Sequence, residues 1–214
     1  MSDLIFNEAT HTYYAGGVMV PNVTRILGPL TSYRFVDLAA LERARIEGVH
    51  IHKMVELYFK NDLDDSALPE WLMPRLAALK SFEAETGFIC CDSEKHVYHE
   101  SHGYAGTLDL TGAMPRLHAD HCVLDVTRSF YAGPVIGLQL AAYQFAENEA
   151  RRKAKLPRVK RRYALQLNED GKYKLLPFED DSDITVFIGM LNAWRWSQQH
   201  SNNLIWRNHE PATN

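Results

Sequence analysis

The sequence predicts an α/β fold with a core that runs helix, three-stranded antiparallel meander, helix, strand. An N-terminal β-hairpin precedes this core, and a C-terminal hairpin and helix follow it. Three observations predict this order. Apolar residues recur at helical spacing in Ile51, Met54, Val55 and Tyr58, and again in Leu72, Leu76, Leu79 and Phe82. β-Prone runs bounded by turn residues then occupy the chain from Phe88 to Thr127, before helical composition returns at Val135. Two of those runs each carry one acid among apolar neighbours, Asp109 and Asp125.

At 214 residues with 46% hydrophobic content, the chain can bury one sizeable core, so residues 1–214 are expected to form a single domain. A net charge of −4 and a pI near 6.2 argue against a protein that coats nucleic acid over its whole surface, while leaving room for a local basic patch. No apolar run approaches the roughly 20 residues of a membrane helix, and the Met1-Ser2-Asp3 start lacks a basic segment followed by an apolar one. A cytoplasmic protein without a membrane partner is expected. Three cysteines, two of them adjacent at Cys90 and Cys91, make no disulfide framework, and no C-x-x-C pair offers a zinc or iron–sulfur site.

Each element has a local reason. Thr10-His11-Thr12-Tyr13-Tyr14 and Val18-Met19-Val20, separated by Ala15-Gly16-Gly17, read as the hairpin within residues 1–24. Val36 to Phe59 reads as a helix, in which Gly48 marks either the start or a close packing contact. On it His50 and His52 lie about 200° apart, so only one of the two is expected to be functional, whereas His52 and Glu56 share a face as i,i+4 neighbours. Leu68 to Thr86 resumes the helical period, with Pro74 as a kink or restart and Gly87 as the stop. Phe88 to Tyr98 is the first core strand, followed by a loop at His99 to His102.

The next two strands and the helix after them carry the chemistry. A turn between Pro115 and His121, centred near Leu117, sets Asp109 directly opposite Asp125 in an antiparallel pair, with both side chains on one face. Like charges so placed repel, and a bound metal removes that cost. The period of two adds Thr127 to the same face, aims Arg128 away, and sends Leu108, Leu110, Leu124 and Val126 into a core on the other. The helix from Val135 to about Arg152 places Gln139 and Tyr143 on one face.

Arg151 to Arg162 holds eight basic residues in twelve, broken by Leu156-Pro157 before a strand from Arg158 to Leu167. That exceeds what a helix end needs to oppose its dipole, and a surface that contacts phosphate is expected. Asn168-Glu169-Asp170-Gly171 is a hairpin turn into Tyr173 to Phe178, and Ser182 or Asp183 caps a last helix striped by Ile184, Phe187, Ile188, Leu191 and Trp194. Residues 201–214 are expected to be a flexible tail. His118-Ala119-Asp120-His121-Cys122 has metal-binding residue types but falls in the expected turn, without a second cluster at zinc-type spacing, and reads as an exposed loop. No order of serine and histidine suggests a serine hydrolase, and no G-x-x-x-x-G-K-[ST] loop is present, so no nucleotide cofactor is expected.

Thr10-His11-Thr12-Tyr13, Gly48-Val49-His50-Ile51-His52 with Glu56, Gly103-Tyr104-Ala105-Gly106-Thr107-Leu108-Asp109, Leu124-Asp125-Val126 and Gln139-x-x-x-Tyr143 occur here in one order. Together they resemble the PD-(D/E)XK nuclease superfamily, and within it the RecB-like and phage exonuclease branch. The resemblance implies a restriction-endonuclease-like core and a hydrolase that cuts DNA phosphodiester bonds, an exonuclease of phage or bacterial recombination and repair. It implies Mg²⁺ or Mn²⁺ held by His52, Asp109, Asp125 and the Val126 carbonyl, with Asp109 and Asp125 catalytic and Glu56 and Gly106 in support. Gln139 and Tyr143 match the family's DNA-positioning pair, beside Arg151, Arg152, Arg158, Lys160, Arg161 and Arg162 on backbone phosphates. DNA is the implied partner, together with a further copy of the chain or a recombination partner protein.

The pattern departs from the family at one position, where the acid-x-lysine motif reads Asp125-Val126-Thr127. Threonine can hydrogen-bond a water at the catalytic position but brings no charge. Lys53, Lys95 and Arg128 are the nearby cations that would have to replace the lysine. The alternative to an enzyme is a nuclease fold without turnover that serves as a DNA-binding or partner-binding module.

Overall fold

The computed structural model describes residues 4–31, 37–118, 120–128 and 133–200. Alternation near the N-terminus produces a three-stranded antiparallel sheet, β1 (Leu4–Asn7), β2 (Thr12–Ala15) and β3 (Val18–Val20), one strand more than the expected hairpin. A short helix that the sequence reading missed, α1 (Val23–Leu27), follows; the Asn22 side chain caps it by accepting from the Arg25 N–H, and Val23, Ile26 and Leu27 are buried.

Helix α2 (Leu38–Phe59) starts after Asp37, which accepts from the Ala40 N–H at 3.0 Å; the expected start at Val36 lies outside the described residues. Gly48 sits inside α2 with open space where a Cβ would be, so it is neither a start nor a packing contact. A helix of this length absorbs the ~1 kcal/mol that one glycine costs. Helix α3 (Met73–Thr86) begins later than the expected Leu68 because Pro74, which has no N–H to donate, is accommodated in its first turn; Asp65–Ala67 and Glu70–Leu72 form single 3₁₀ turns before it. Gly87 ends α3 in the left-handed conformation, φ 66°.

The core sheet has the order β4 (Ile89–His99), β5 (Tyr104–Ala113), β6 (His121–Thr127), β7 (Val159–Leu167), β8 (Tyr173–Pro177). The first three strands are the expected antiparallel meander. Helix α4 (Val135–Lys153) connects β6 to β7, which run parallel, and β8 turns back antiparallel. The last helix, α5 (Asp183–Gln199), buries Phe187 and Leu191. Ser182 makes no side-chain cap to it; its own N–H is taken by the Asp180 carboxylate.

Both faces of this sheet are covered. One core joins α1, α4 and α5 to residues such as Leu108 and Val123; the other joins α2 and α3 to Leu110, Leu124 and Val126. Leu108 therefore does not share a face with the other three, which corrects the expectation of strict alternation. The reason lies in β4 and β5 together. Ser93 pairs with Leu110 and Lys95 with Leu108, so no residue is gained or lost between them. Yet Leu110 packs towards α2 and α3, whereas Leu108 packs towards α4 and Lys95 reaches Glu147 on α4. Both strands change face across one residue each, Glu94 and Asp109. Glu94 has φ 48°, a left-handed conformation that a side chain with a Cβ rarely takes within a strand.

Candidate metal centre

That paired kink delivers the acids. The β5–β6 ladder keeps the expected register but ends at Leu110 opposite Leu124, one step before Asp109 and Asp125. Asp109 turns into the gap, where its Oδ2 accepts from the Val126 N–H at 2.6 Å, a bond a carbonyl of β5 would otherwise take. Asp109 is 8% exposed and Asp125 9%, so two carboxylates are nearly withdrawn from water side by side. Burial first, then repulsion from Asp109, pushes the Asp125 carboxyl well above its ordinary 3.8, with Glu94 adding to the rise and His52 opposing it.

His52 comes from the middle of α2. Its Nδ1 lies 3.4 Å from Glu94 Oε1 and 3.5 Å from Asp109 Oδ1. Burial works against its charge, but Asp109 and then Glu94 outweigh that and hold the imidazolium well above its usual range. His50, on the other side of the helix, bonds the Ile46 carbonyl, so only His52 reaches the site. One donor atom each from His52, Glu94 and Asp109 lie within 4.8 Å of one another, the only such group among the described residues. Two carboxylates and an imidazole suit a hard divalent cation, with the nitrogen favouring Mn²⁺ over Mg²⁺.

Helix α4 fixes the other side of the site. Gln139 donates to Asp125 Oδ1 at 2.8 Å, and Tyr143 lies one turn on against β5. Gly106 is what lets Tyr143 approach, since a Cβ there would stand 2.6 Å from its Cε1. Burial and then the charges of Asp109 and Asp125 raise the Tyr143 phenol well above 10.0. Gly106→Ala should displace Tyr143 and cost about 1–3 kcal/mol, read as a lower melting temperature.

These groups, with Val126, line one cavity of about 320 Å³. The N-terminal sheet and α1 supply its far wall through His11, Tyr13, Asn22 and Thr24. Tyr13 and Thr107 hydroxyls are 2.6 Å apart, and His96 Nδ1 lies 3.0 Å from the same Thr107 oxygen. Sequence reasoning missed Glu94, Asn22 and Thr107. Extending the hairpin register one strand further, to β4, was the available signal for Glu94.

Other candidates are placed elsewhere. Glu56 lies between Lys53 and Lys60 on the outer part of α2, which ties up Lys53 as well. Lys95 is held by Asp92 and Glu147, and Arg128 pairs with Glu47 at 3.3 Å. Thr127 is half-buried at the end of β6, paired with Gln166 of β7. Among the described residues, no lysine or arginine lines the cavity.

The basic segment is split by the fold. Arg151 is buried, donating to the Pro157 carbonyl at 2.5 Å and facing Glu147. Arg162 is buried too, bonded to the Asp180 and Gly137 carbonyls and to Asp183 at 3.1 Å. These two guanidinium groups hold α4 and α5 to the sheet, which corrects their reading as surface contacts. Arg152 and Arg158 are exposed, while Lys160 and Arg161 share Asp120 and Arg161 also faces Glu179. Val159 pairs with His121 and Ala164 with Asp125, so Arg158 stands about 17 Å from the acids along the strands. In the 118–122 stretch His118 stacks on Tyr163 and Asp120 binds Lys160 and Arg161. That stretch forms no metal group among the described residues.

No family model matches the chain. No curated protein matches it either. Among solved structures it is similar to LHK-Exo in complex with dAMP, at 10% identity and a TM-score of 0.41, over 86% of this chain and 90% of that one. It is also similar to the alkaline exonuclease LHK-Exo from Laribacter hongkongensis, at 9% identity and a TM-score of 0.33, over 86% and 93% of the two chains. Likeness at this level leaves the functional reading to the geometry of the site.

Proposed function

We propose that the chain is a divalent-metal-dependent hydrolase of DNA phosphodiester bonds, acting from ends. The observation that carries this reading is the burial of Asp109 and Asp125 against each other beside His52, an arrangement that a cation stabilises and that packing alone gives no reason to keep. His52, Asp109, Asp125 and the Val126 carbonyl would hold Mg²⁺ or Mn²⁺. When bound, such an ion lowers the pKa of a coordinated water and neutralises charge developing on phosphate. The chain's own residues orient the ligands: the Val126 N–H fixes Asp109 Oδ2, and Gln139 fixes Asp125 Oδ1. Tyr143 stands beside Gln139 to position the strand.

The test is cleavage of end-labelled linear DNA and of closed circular DNA in Mg²⁺, Mn²⁺ or EDTA. Cleavage of linear DNA that EDTA stops is the expected result, and no cleavage under any condition would overturn the reading. A second reading, a nuclease fold that binds DNA without cutting it, is favoured by the cavity lining: no lysine or arginine among the described residues lines it, and the residue after Val126 is threonine.

The exposed basic residues provide a separate expectation. Neutralising Arg152, Arg158, Lys160 and Arg161 should weaken DNA binding and flatten its salt dependence by about 0.9 in log–log slope for each phosphate left without its cation. An unchanged slope would make that stretch an ordinary solvated surface. Arg162 is excluded from this set because removing it strands Asp183 in a buried pair, at a cost of about 3–5 kcal/mol, which a denaturant melt would register.

A further inference from the structure

We infer that Glu94 is a direct ligand of the divalent cation, completing a seat with His52 and Asp109 between α2 and the kinked strands β4 and β5. This rests on the metal-dependent reading above and extends it to a residue that the motif resemblance does not assign. Three independent features of Glu94 converge.

Its backbone is left-handed, φ 48°, in the middle of a strand whose immediate neighbours stay in register, Ser93 with Leu110 and Lys95 with Leu108, the register shift of this pair falling earlier, between Cys90 and Asp92. Such a conformation persists only where the surroundings impose it, and it collects at functional sites. What it accomplishes is visible in the packing: β4 and β5 swap faces together at Glu94 and Asp109. Both carboxylates are thereby brought to the His52 imidazole.

The donor atoms also match. Glu94 Oε1, His52 Nδ1 and Asp109 Oδ1 are mutually close, at 3.4 Å and 3.5 Å from the imidazole nitrogen. Asp125 stands outside this group of three, with its Oδ1 occupied by Gln139. The cation is therefore held more by the α2–β4–β5 side of the cavity than by the two apposed aspartates alone.

Finally, no lysine or arginine among the described residues forms an ion pair with Glu94. Lys53 is bound by Glu56 and Lys95 by Asp92 and Glu147, which leaves His52 as the ion-pair partner seen for Glu94 among the described residues. A carboxylate placed against Asp109 with so little compensation is what an ion-binding group requires and what a structural group avoids.

The experiment is calorimetric titration of Mn²⁺ into the full chain and into Glu94→Gln, with thermal unfolding of both in EDTA. Gln keeps the size and the backbone conformation but withdraws the charge. We expect Mn²⁺ affinity to fall at least tenfold in E94Q, while its melting temperature in EDTA stays equal to or above that of the unaltered chain. A purely structural Glu94 would instead lower the EDTA melting temperature. If E94Q binds Mn²⁺ within twofold of the unaltered chain, the inference is wrong and the metal-dependent reading stands. If the unaltered chain binds no Mn²⁺ at all, both fall. Should E94Q not fold, Glu94→Asp, which draws the carboxylate back by one methylene, decides: reduced affinity supports the inference, and unchanged affinity overturns it.

Discussion

Replacing Asp109 by asparagine should abolish divalent-metal binding and reduce cleavage by more than about 10³-fold, since losing a single electrostatic group already costs about 10²–10³. The fold should survive. The amide oxygen of asparagine can still accept from the Val126 N–H, which is the structural part of the role of Asp109. In EDTA the variant should be more stable than the unaltered chain because one of the buried like charges is gone. The pH dependence follows from Asp125. Its native pKa lies above the ordinary 3.8, so its contribution to stability is fully present below that value and is lost as pH rises through the raised native pKa. In EDTA the unaltered chain should therefore lose stability over that interval, and Asp109→Asn, which removes the repulsion from residue 109, should lose less. Saturating Mn²⁺ should reverse the trend for the unaltered chain, because metal binding competes with protons for the same ligands. Melting curves across pH with and without Mn²⁺ test this, and metal affinity that survives Asp109→Asn would remove Asp109 from the centre.

Thr127→Lys should raise the rate of cleavage by about 10²–10³-fold if the missing ammonium is what limits the chain, the inverse of the loss expected for one such group. The candidates for a natural replacement are occupied: Lys53 by Glu56, Lys95 by Asp92 and Glu147, and Arg128 by Glu47. Single-turnover rates on linear DNA for both proteins measure the effect. Equal rates would mean that the lysine is dispensable here. A variant that cleaves when the unaltered chain does not would show a competent metal centre lacking one charge. Two inert proteins that still bind DNA would establish the binding-module reading.

Several features of this site are legible in the sequence because they depend on local periodicity. The turn near Leu117 sets the register that brings Leu110 to Leu124, where the ladder ends one step short of Asp109 and Asp125. The i,i+4 spacing of Gln139 and Tyr143 puts both on the face of α4 that meets β5 and β6. His52, and not His50, faces the site for the same reason, since a helix divides residues two apart between opposite sides.

Other features depend on partners distant in the chain, and only the tertiary structure decides them. Arg162 is a core residue because α5 brings Asp183 to it, and Arg151 because the chain folds back at Pro157; a run of basic residues is the same in sequence whether it points outward or inward. The roughly 17 Å between Arg158 and the acids follows from the parallel pairing of β6 with β7, which no local pattern states. Glu94 is the clearest case. Period-two alternation assigns faces only where a strand is regular, and β4 and β5 change face together at Glu94 and Asp109, between α2 and α3 on one face of the sheet and α4 on the other. The sequence by itself determined the order of the core elements and the register that brings the two aspartates onto neighbouring strands. Packing on both faces of the sheet decided that a third carboxylate would join them.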